Sequence, residues 1–312
     1  MVQVNPQDQI KYVFLDGNFV PWDQGNIHIS THALLYGTGC FEGIRGYIDN
    51  PKNQVYIFRG QEHYQRLLDS CKLLLIDLEY DINQLIQWTK TIIKKNEFKC
   101  DLYIRPVAYK KFGPQFIGAN LYNVNHGFFI LVIPKEAPEK IQEIHVGTSS
   151  WRRAKDTALP PRGKFTGSYI SSNLAKAEAI RQGYDDAILL TEEGYVAEVT
   201  TSNLFMVRKN VIVTPPVYCD ILEGITRDTI ITICEELHLN FEERLINRSE
   251  LYLANEVFIC GTAEEIKAIT KIDHRVLADG KPGPVTNNIR TLFKQMVRGE
   301  VDKFKNFLIP VY

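Results

Sequence analysis

The 312-residue chain contains no run of 18 apolar residues, so no segment reads as a membrane-spanning helix. It has no excess of charge of either sign. Lys and Arg number 36 against 37 Asp and Glu, for a formal net charge of −1. Nothing therefore points to nucleic acid or an anionic membrane as a partner. The six cysteines, Cys40, Cys71, Cys100, Cys219, Cys234 and Cys260, include no CxxC pair. In a chain this long they read as reduced thiols, not a disulfide framework or a zinc site, and no metal is expected. Walker A and a Gly-x-Gly-x-x-Gly with a following helix are both missing, which leaves nucleotide binding without support. Met1 to Ile10 is polar and has neither the basic and apolar regions of a signal peptide nor the Arg-rich character of a transit peptide. The expectation is a cytoplasmic protein, in which the sequon-like Asn247-Arg248-Ser249 has no significance. Neither an internal repeat nor a low-complexity stretch is present.

The length argues for about two domains, and the apolar and charged fractions are those of an ordinary globular protein. Asp16-Gly17 marks a hairpin over residues 12–20. Tyr64, Leu67, Leu68, Cys71 and Leu75 recur at helical spacing, as do Ile82, Leu85, Ile86, Thr89, Ile92 and Ile93. Strands are expected at 103–108 and, apolar throughout, at 127–133. Pro134-Lys135-Glu136-Ala137-Pro138-Glu139-Lys140 carries two prolines and a run of charges. It is the best interdomain linker, separating domains over 1–133 and 141–312. Beyond it, strands are expected near 144–148, 187–190, 195–198, 204–207, 211–214, 241–246, 257–260 and 267–270. Helices are expected near 168–182, 226–237, 249–253 and 286–297.

Lys164 stands in Pro160-Pro161-Arg162-Gly163-Lys164-Phe165-Thr166-Gly167-Ser168, between glycines and ahead of a helix. A lysine in such a place can be approached closely by a planar cofactor, and lysine forms Schiff bases with carbonyls such as pyridoxal phosphate. A lone loop lysine ordinarily leaves its charged tip in water. The other reading draws its force from what lies downstream. Gly194-Tyr195-Val196-Ala197-Glu198-Val199-Thr200-Thr201-Ser202-Asn203 is one block. Leu222-Glu223-Gly224-Ile225-Thr226-Arg227 opens a helix, and Cys260-Gly261-Thr262-Ala263-Glu264 is a third. Helix starts present free N–H groups and a positive dipole end to anions, though a Gly-x-Thr start can equally be simple capping.

Together with Lys164 these blocks resemble the class IV aminotransferases, the fold type IV pyridoxal phosphate enzymes. Tyr36-Gly37-Thr38-Gly39-Cys40-Phe41-Glu42-Gly43-Ile44-Arg45 and Tyr103-Ile104-Arg105-Pro106 resemble the branched-chain amino acid aminotransferases in particular. The resemblance runs from about residue 12 to the end, with the blocks in one order. It implies an α+β, two-domain fold, with an α/β N-terminal domain and a mixed, barrel-like C-terminal domain. It implies pyridoxal 5'-phosphate, an amino acid and a 2-oxo acid as substrates, ping-pong transfer from leucine, isoleucine or valine to 2-oxoglutarate, and a homodimer.

The resemblance also assigns roles. Lys164 is the catalytic lysine that carries the cofactor and moves a proton. Arg66, Ile225, Thr226 and Thr262 match phosphate-binding positions, and Glu198 matches the carboxylate beside the pyridine nitrogen. Tyr169 matches a position at the cofactor and, with Tyr36, Phe41 and Tyr103, at the side-chain pocket. Burial against such walls favours an aliphatic side chain by about 1.5–3 kcal/mol. Arg105 is the cation for the distal carboxylate of glutamate, and Arg45 an orienting partner. Gly43, Ala119, Thr262 and Ala263 complete the substrate set; the Gly118-Ala119-Asn120 loop is the shape that reaches a partner subunit's site in the family. Two departures matter. Val199 to Asn203 is worded as in D-amino acid aminotransferases, and the short linker lacks an aromatic lid. A D-amino acid aminotransferase is therefore the nearest rival, ahead of an aminodeoxychorismate lyase or a non-catalytic binding protein.

Overall fold

The structure, a computed structural model, describes residues 9–113, 118–135 and 143–312. In chain order it begins with β1 (Tyr12–Leu15), β2 (Asn18–Pro21), α1 (His32–Tyr36) and β3 (Gly39–Phe41). There follow β4 (Ile44–Asp49), β5 (Gln54–Phe58), α2 (Gly60–Leu73), α3 (Ile82–Lys95), β6 (Leu102–Lys110) and β7 (His126–Pro134). Next come β8 (Ile144–Arg152), α4 (Tyr169–Arg181), β9 (Asp186–Leu190), β10 (Val196–Val199), β11 (Asn203–Arg208) and β12 (Val211–Thr214). The rest is α5 (Ile225–Glu236), β13 (Phe241–Glu243), α6 (Arg248–Leu251), β14 (Glu256–Gly261), β15 (Glu265–Ile272), β16 (Arg275–Val276), α7 (Pro284–Val297) and β17 (Leu308–Pro310).

Two compact units divide the chain. The first comprises Met1–Ala137, Gly163–Gly167 and Gln295–Tyr312; the second comprises Pro138–Arg162 and Ser168–Lys294. The expected linker falls largely on residues 136–140, which lie outside the described residues. The segment around Lys164 and the C-terminal stretch, which the linker reading assigns to the second domain, cluster with the first. The cause is strand-like pairing. Phe41 N–H donates to the Lys164 carbonyl (3.0 Å) and Thr166 N–H to the Gly39 carbonyl (2.8 Å), while β17 pairs antiparallel with β5.

In the first unit eight strands run in the order β17-β5-β4-β6-β7-β1-β2, with β3 also on β6. All the described pairings there are antiparallel. Helix α3 starts at a reciprocal cap. The Asp81 carboxylate accepts from Gln84 N–H (2.8 Å), and the Gln84 side chain accepts from Asp81 N–H (3.0 Å). It then buries Leu85, Ile86, Thr89, Ile92 and Ile93, the stripe its spacing predicts. Its Trp88 stacks on Phe14 of β1, ring centroids 4.5 Å apart. Truncating a fully buried residue such as Ile92 to alanine costs about 2–5 kcal/mol. The stretch 39–58 forms three strands that periodicity does not announce. β3 is three residues long, and β4 buries both its faces, including Arg45 and Gly46.

In the second unit the sheet is mixed, ordered β10-β9-β8-β15-β14-β11-β12-β13 with β16 on β15. The parallel pairs are β8 with β9, β8 with β15, and β12 with β13. Val146, Ile188, Val196, Leu204, Met206 and Ile259 lie in its core. Ala175 and Ala179 let α4 settle on Ala187 and Leu189 of β9. The strand expected over 241–246 stops at Glu243.

Candidate active site

Lys164 is positioned by its backbone. Its N–H donates to Ser70 Oγ (3.1 Å), and Ser70 Oγ donates to the Arg66 carbonyl (2.8 Å). Its carbonyl is held by Phe41, and Cys40 bridges Phe165. The glycines nearby serve packing. A Cβ on Gly163 would stand 2.0 Å from the Phe165 ring, and one on Gly37, whose φ is +69°, would stand 2.8 Å from Gly167 Cα.

Around Lys164 the first unit gathers aromatic rings and cations. Lys164 Nζ lies 5.0 Å from the Phe41 ring centroid, and the Arg105 guanidinium carbon lies 4.4 Å from the same centroid. Arg105 donates to the Tyr103 hydroxyl (2.7 Å), as alternate residues of β6 on one face should be able to do. Gly43 makes room for that hydroxyl, since a Cβ there would be 2.2 Å from it. Arg45 is paired across the sheet with Tyr103. Its guanidinium is buried 3.9 Å from Asp101 and 5.2 Å over the Tyr47 ring. That placement suits the orienting role expected of it. Tyr36 ends α1, half-exposed, and its hydroxyl accepts from Gly118 N–H (3.0 Å). His32 Nε2 meets the Gly118 carbonyl at 2.9 Å, so α1 pins the start of the exposed Ala119-Asn120 turn.

Arg66, expected at the phosphate, is bound to a carboxylate in the structure. Its Nε and Nη2 grip both oxygens of Glu42 at 2.6 and 2.8 Å. Glu42 is fully buried and is also met by His63 Nδ1 at 2.8 Å. Burial pushes the Glu42 carboxyl up, but Arg66 and His63 overcome it and hold the group well below the usual carboxylate range. Burial likewise pushes His63 down against the pull of Glu42. The pair Glu42–Arg66 is thus formally neutral.

The second unit supplies a different set. Glu198, buried on β10, takes Arg153 Nη2 on one oxygen (2.8 Å) and Asn203 Nδ2 on the other (2.9 Å). The same Asn203 amide donates to the Leu222 carbonyl (3.0 Å). Helix α5 opens at Gly224, so Ile225 and Thr226 stand in its first turn, at the positive end of the helix dipole. Thr262 and Ala263 form the turn between β14 and β15, half-buried, directly after Gly261. Tyr169 is the first residue of α4 and is half-buried. Thr200 is tied to buried Asp186 (2.6 Å), and Val199 N–H closes on the Ser202 carbonyl (3.0 Å), so the 199–203 turn is fixed.

An amine, a carboxylate clamped by an arginine, and a helix start are the parts that pyridoxal phosphate chemistry requires. A family model described as amino-transferase class IV matches residues 39–272. The chain belongs to the class IV aminotransferases. A probable branched-chain-amino-acid aminotransferase of Aquifex aeolicus is 40% identical over 96% of this chain and 97% of its own. The branched-chain-amino-acid aminotransferase of Escherichia coli K12 is 38% identical over 93% and 94%. A solved branched-chain aminotransferase of Thermobaculum terrenum in its PLP form superposes with a TM-score of 0.92, at 38% identity, covering 97% of this chain and 98% of that one. One of Thermoproteus uzoniensis with norvaline gives 0.91 at 40% identity, covering 96% and 99%. This class IV aminotransferase is accordingly a pyridoxal phosphate-dependent transaminase of α+β, fold type IV architecture.

Several residues of its two units escaped sequence reasoning. Glu42 and Asn203 lie inside recognisable blocks, yet nothing in their spacing shows what they bind. His63 and Arg153 have no local signal at all. Among the described residues no cluster of His, Cys, Asp and Glu could hold a metal, none of the six cysteines is in a disulfide, and no helix is long and apolar enough to cross a membrane.

Proposed function

We propose that this aminotransferase moves the amino group of a branched-chain L-amino acid to 2-oxoglutarate by ping-pong turnover. One observation carries the reading: Phe41 and Tyr103 form an aromatic wall with the Arg105 guanidinium laid against it. Such a wall takes an aliphatic side chain by burial and a distal carboxylate by charge-assisted hydrogen bonds, the two needs of a dual-substrate enzyme.

The residues fit pyridoxal phosphate. The start of α5 at Ile225 and Thr226, with the Thr262 turn, suits a phosphate, and Arg66 is assigned the same role. Glu198, paired with Arg153, is the carboxylate that suits a protonated ring nitrogen. When bound, the cofactor supplies the electron sink that weakens bonds to the substrate's α-carbon. Lys164 holds the cofactor and, once released, its Nζ takes and returns the α-carbon proton. Tyr169 flanks the ring, and Tyr36, Gly43, Ala119 and Ala263 shape the substrate's surroundings. Arg45 keeps Tyr103 in place from the adjacent strand. A homodimer, in which the Gly118–Asn120 loop serves a partner's site, and a cytoplasmic setting belong to the same reading; the six cysteines, none in a disulfide, support the latter.

Turnover of L-leucine and of D-alanine with 2-oxoglutarate tests it. L-Leucine should be the better donor by a wide margin. A preference for D-alanine would favour the D-amino acid reading, and a colourless, inactive protein the binding-protein reading.

A further inference from the structure

The turn Val199-Thr200-Thr201-Ser202-Asn203 departs from the family wording, and it touches each cofactor element of the second unit. Asn203 reaches two ways. Its Nδ2 donates to Glu198 (2.9 Å) and to the carbonyl of Leu222, two residues before Gly224 (3.0 Å). A Cβ built on Gly224 would fall 2.0 Å from Asn203 Oδ1, so the amide lies hard against the start of α5. Next door, a Cβ on Gly261 would fall 2.9 Å from Ser202 Oγ. Ser202 and Asn203 are buried, and Thr200 is locked to Asp186. Two glycines at two different elements are therefore glycines because this one turn occupies the space of their side chains.

We propose that Asn203 is a positioning residue that fixes the separation between the Glu198 carboxylate and the N-terminus of α5. It thereby selects a ligand carrying a basic ring nitrogen and an anion at one set distance. This rests on the proposed roles of Glu198 and the α5 start. Pyridoxal phosphate is two anchors on one rigid ring. Its affinity gains from the second anchor only if the two subsites keep their spacing. A shift of about 1 Å in such a strut can cost on the order of a hundredfold.

The test measures dissociation constants of pyridoxal phosphate, pyridoxal and inorganic phosphate by equilibrium dialysis, on the full-length protein and on Asn203→Leu and Gly224→Ala. The first variant removes the strut's donors. The second pushes on the amide from the helix side without touching Glu198. Circular dichroism confirms folding, and either variant alone decides the matter if the other fails to fold. Both should weaken pyridoxal phosphate by about a hundredfold while pyridoxal and phosphate, neither of which spans the Glu198 and α5 subsites, change by about threefold or less. Equal losses for pyridoxal phosphate and pyridoxal in Asn203→Leu, or a loss confined to phosphate in Gly224→Ala, would overturn the strut. Glu198→Gln separates this from the reading beneath it. If that variant keeps a normal half-reaction while the strut variants show the split, the role of Glu198 in the chemistry fails and the strut stands.

Discussion

The two units present different kinds of chemical group. The first presents side chains: Phe41, Tyr103 and Arg105 stand on an antiparallel sheet, and Lys164 lies on a segment hydrogen-bonded to Phe41, with ring contacts and the hydroxyl of Tyr103 among them. The second works through its main chain. It offers a helix start at Gly224 and a turn at Gly261, with Asn203 and Ser202 filling the spaces those glycines leave. Each also buries a glutamate on an arginine. Glu42 is gripped on both oxygens by Arg66, whereas Glu198 shares its oxygens between Arg153 and the neutral amide of Asn203. Side chains can be exchanged singly, so the first unit is where choice among substrates can vary. Backbone cradles tolerate little change, so the second unit has less room to vary.

The sharpest break in this comparison is Lys164→Ala. Turnover should fall by on the order of 10⁴-fold, since the proton carrier goes with the nucleophile. Pyridoxal phosphate should still bind through the second unit, as dialysis would show. Failure of the variant to bind any cofactor would mean that the main-chain cradle does not suffice.

A smaller effect follows from Glu198→Gln, which keeps size and removes charge. The half-reaction with an amino donor should slow by about a hundredfold in stopped-flow absorbance, with the cofactor retained. Wild-type rates would remove Glu198 from the chemistry.

Arg105→Met acts on substrate choice alone. Losing a charge-assisted contact of about 1.5–3 kcal/mol should raise KM for glutamate and 2-oxoglutarate roughly ten- to a hundredfold, leaving leucine nearly untouched. Equal weakening of both would make the arginine structural.

The mildest prediction concerns pH and the first unit's ionic cluster. His63, with its folded value below the usual 6.5, is neutral when folded, so the unfolded chain takes up a proton first as pH falls. Stability should therefore decline from about pH 6.5 downward. Glu42, also depressed, adds a further decline below its usual 4.5. His63→Asn should flatten the first part of a plot of Tm against pH and leave the second. An unchanged profile above pH 5 would show that His63 does not titrate as described.

What could be read from the chain depended on locality. Helix α3 was legible because its cap, Asp81 with Gln84, and its apolar stripe lie within one short segment. Lys164, Glu198 and Gly224-Ile225-Thr226 were legible as blocks, each carrying its own residues. The pairing of Gly163–Gly167 with Gly37–Phe41 was not, because a one-bridge contact between distant segments leaves no period. Gly163 is a different case: its missing Cβ makes room for the ring of Phe165, two residues along the chain. Arg153 beside Glu198, and His63 beside Glu42, are long-range pairings of ordinary charged residues, and single residues of that kind carry no pattern.

The central claim is that Lys164 is the amine that holds the cofactor. Borohydride reduction of the holoenzyme, followed by peptide mapping, fixes the cofactor wherever it is attached. The account predicts a single pyridoxyl-lysine in the peptide Gly163-Lys164-Phe165-Thr166. A pyridoxyl group on any other lysine would contradict it.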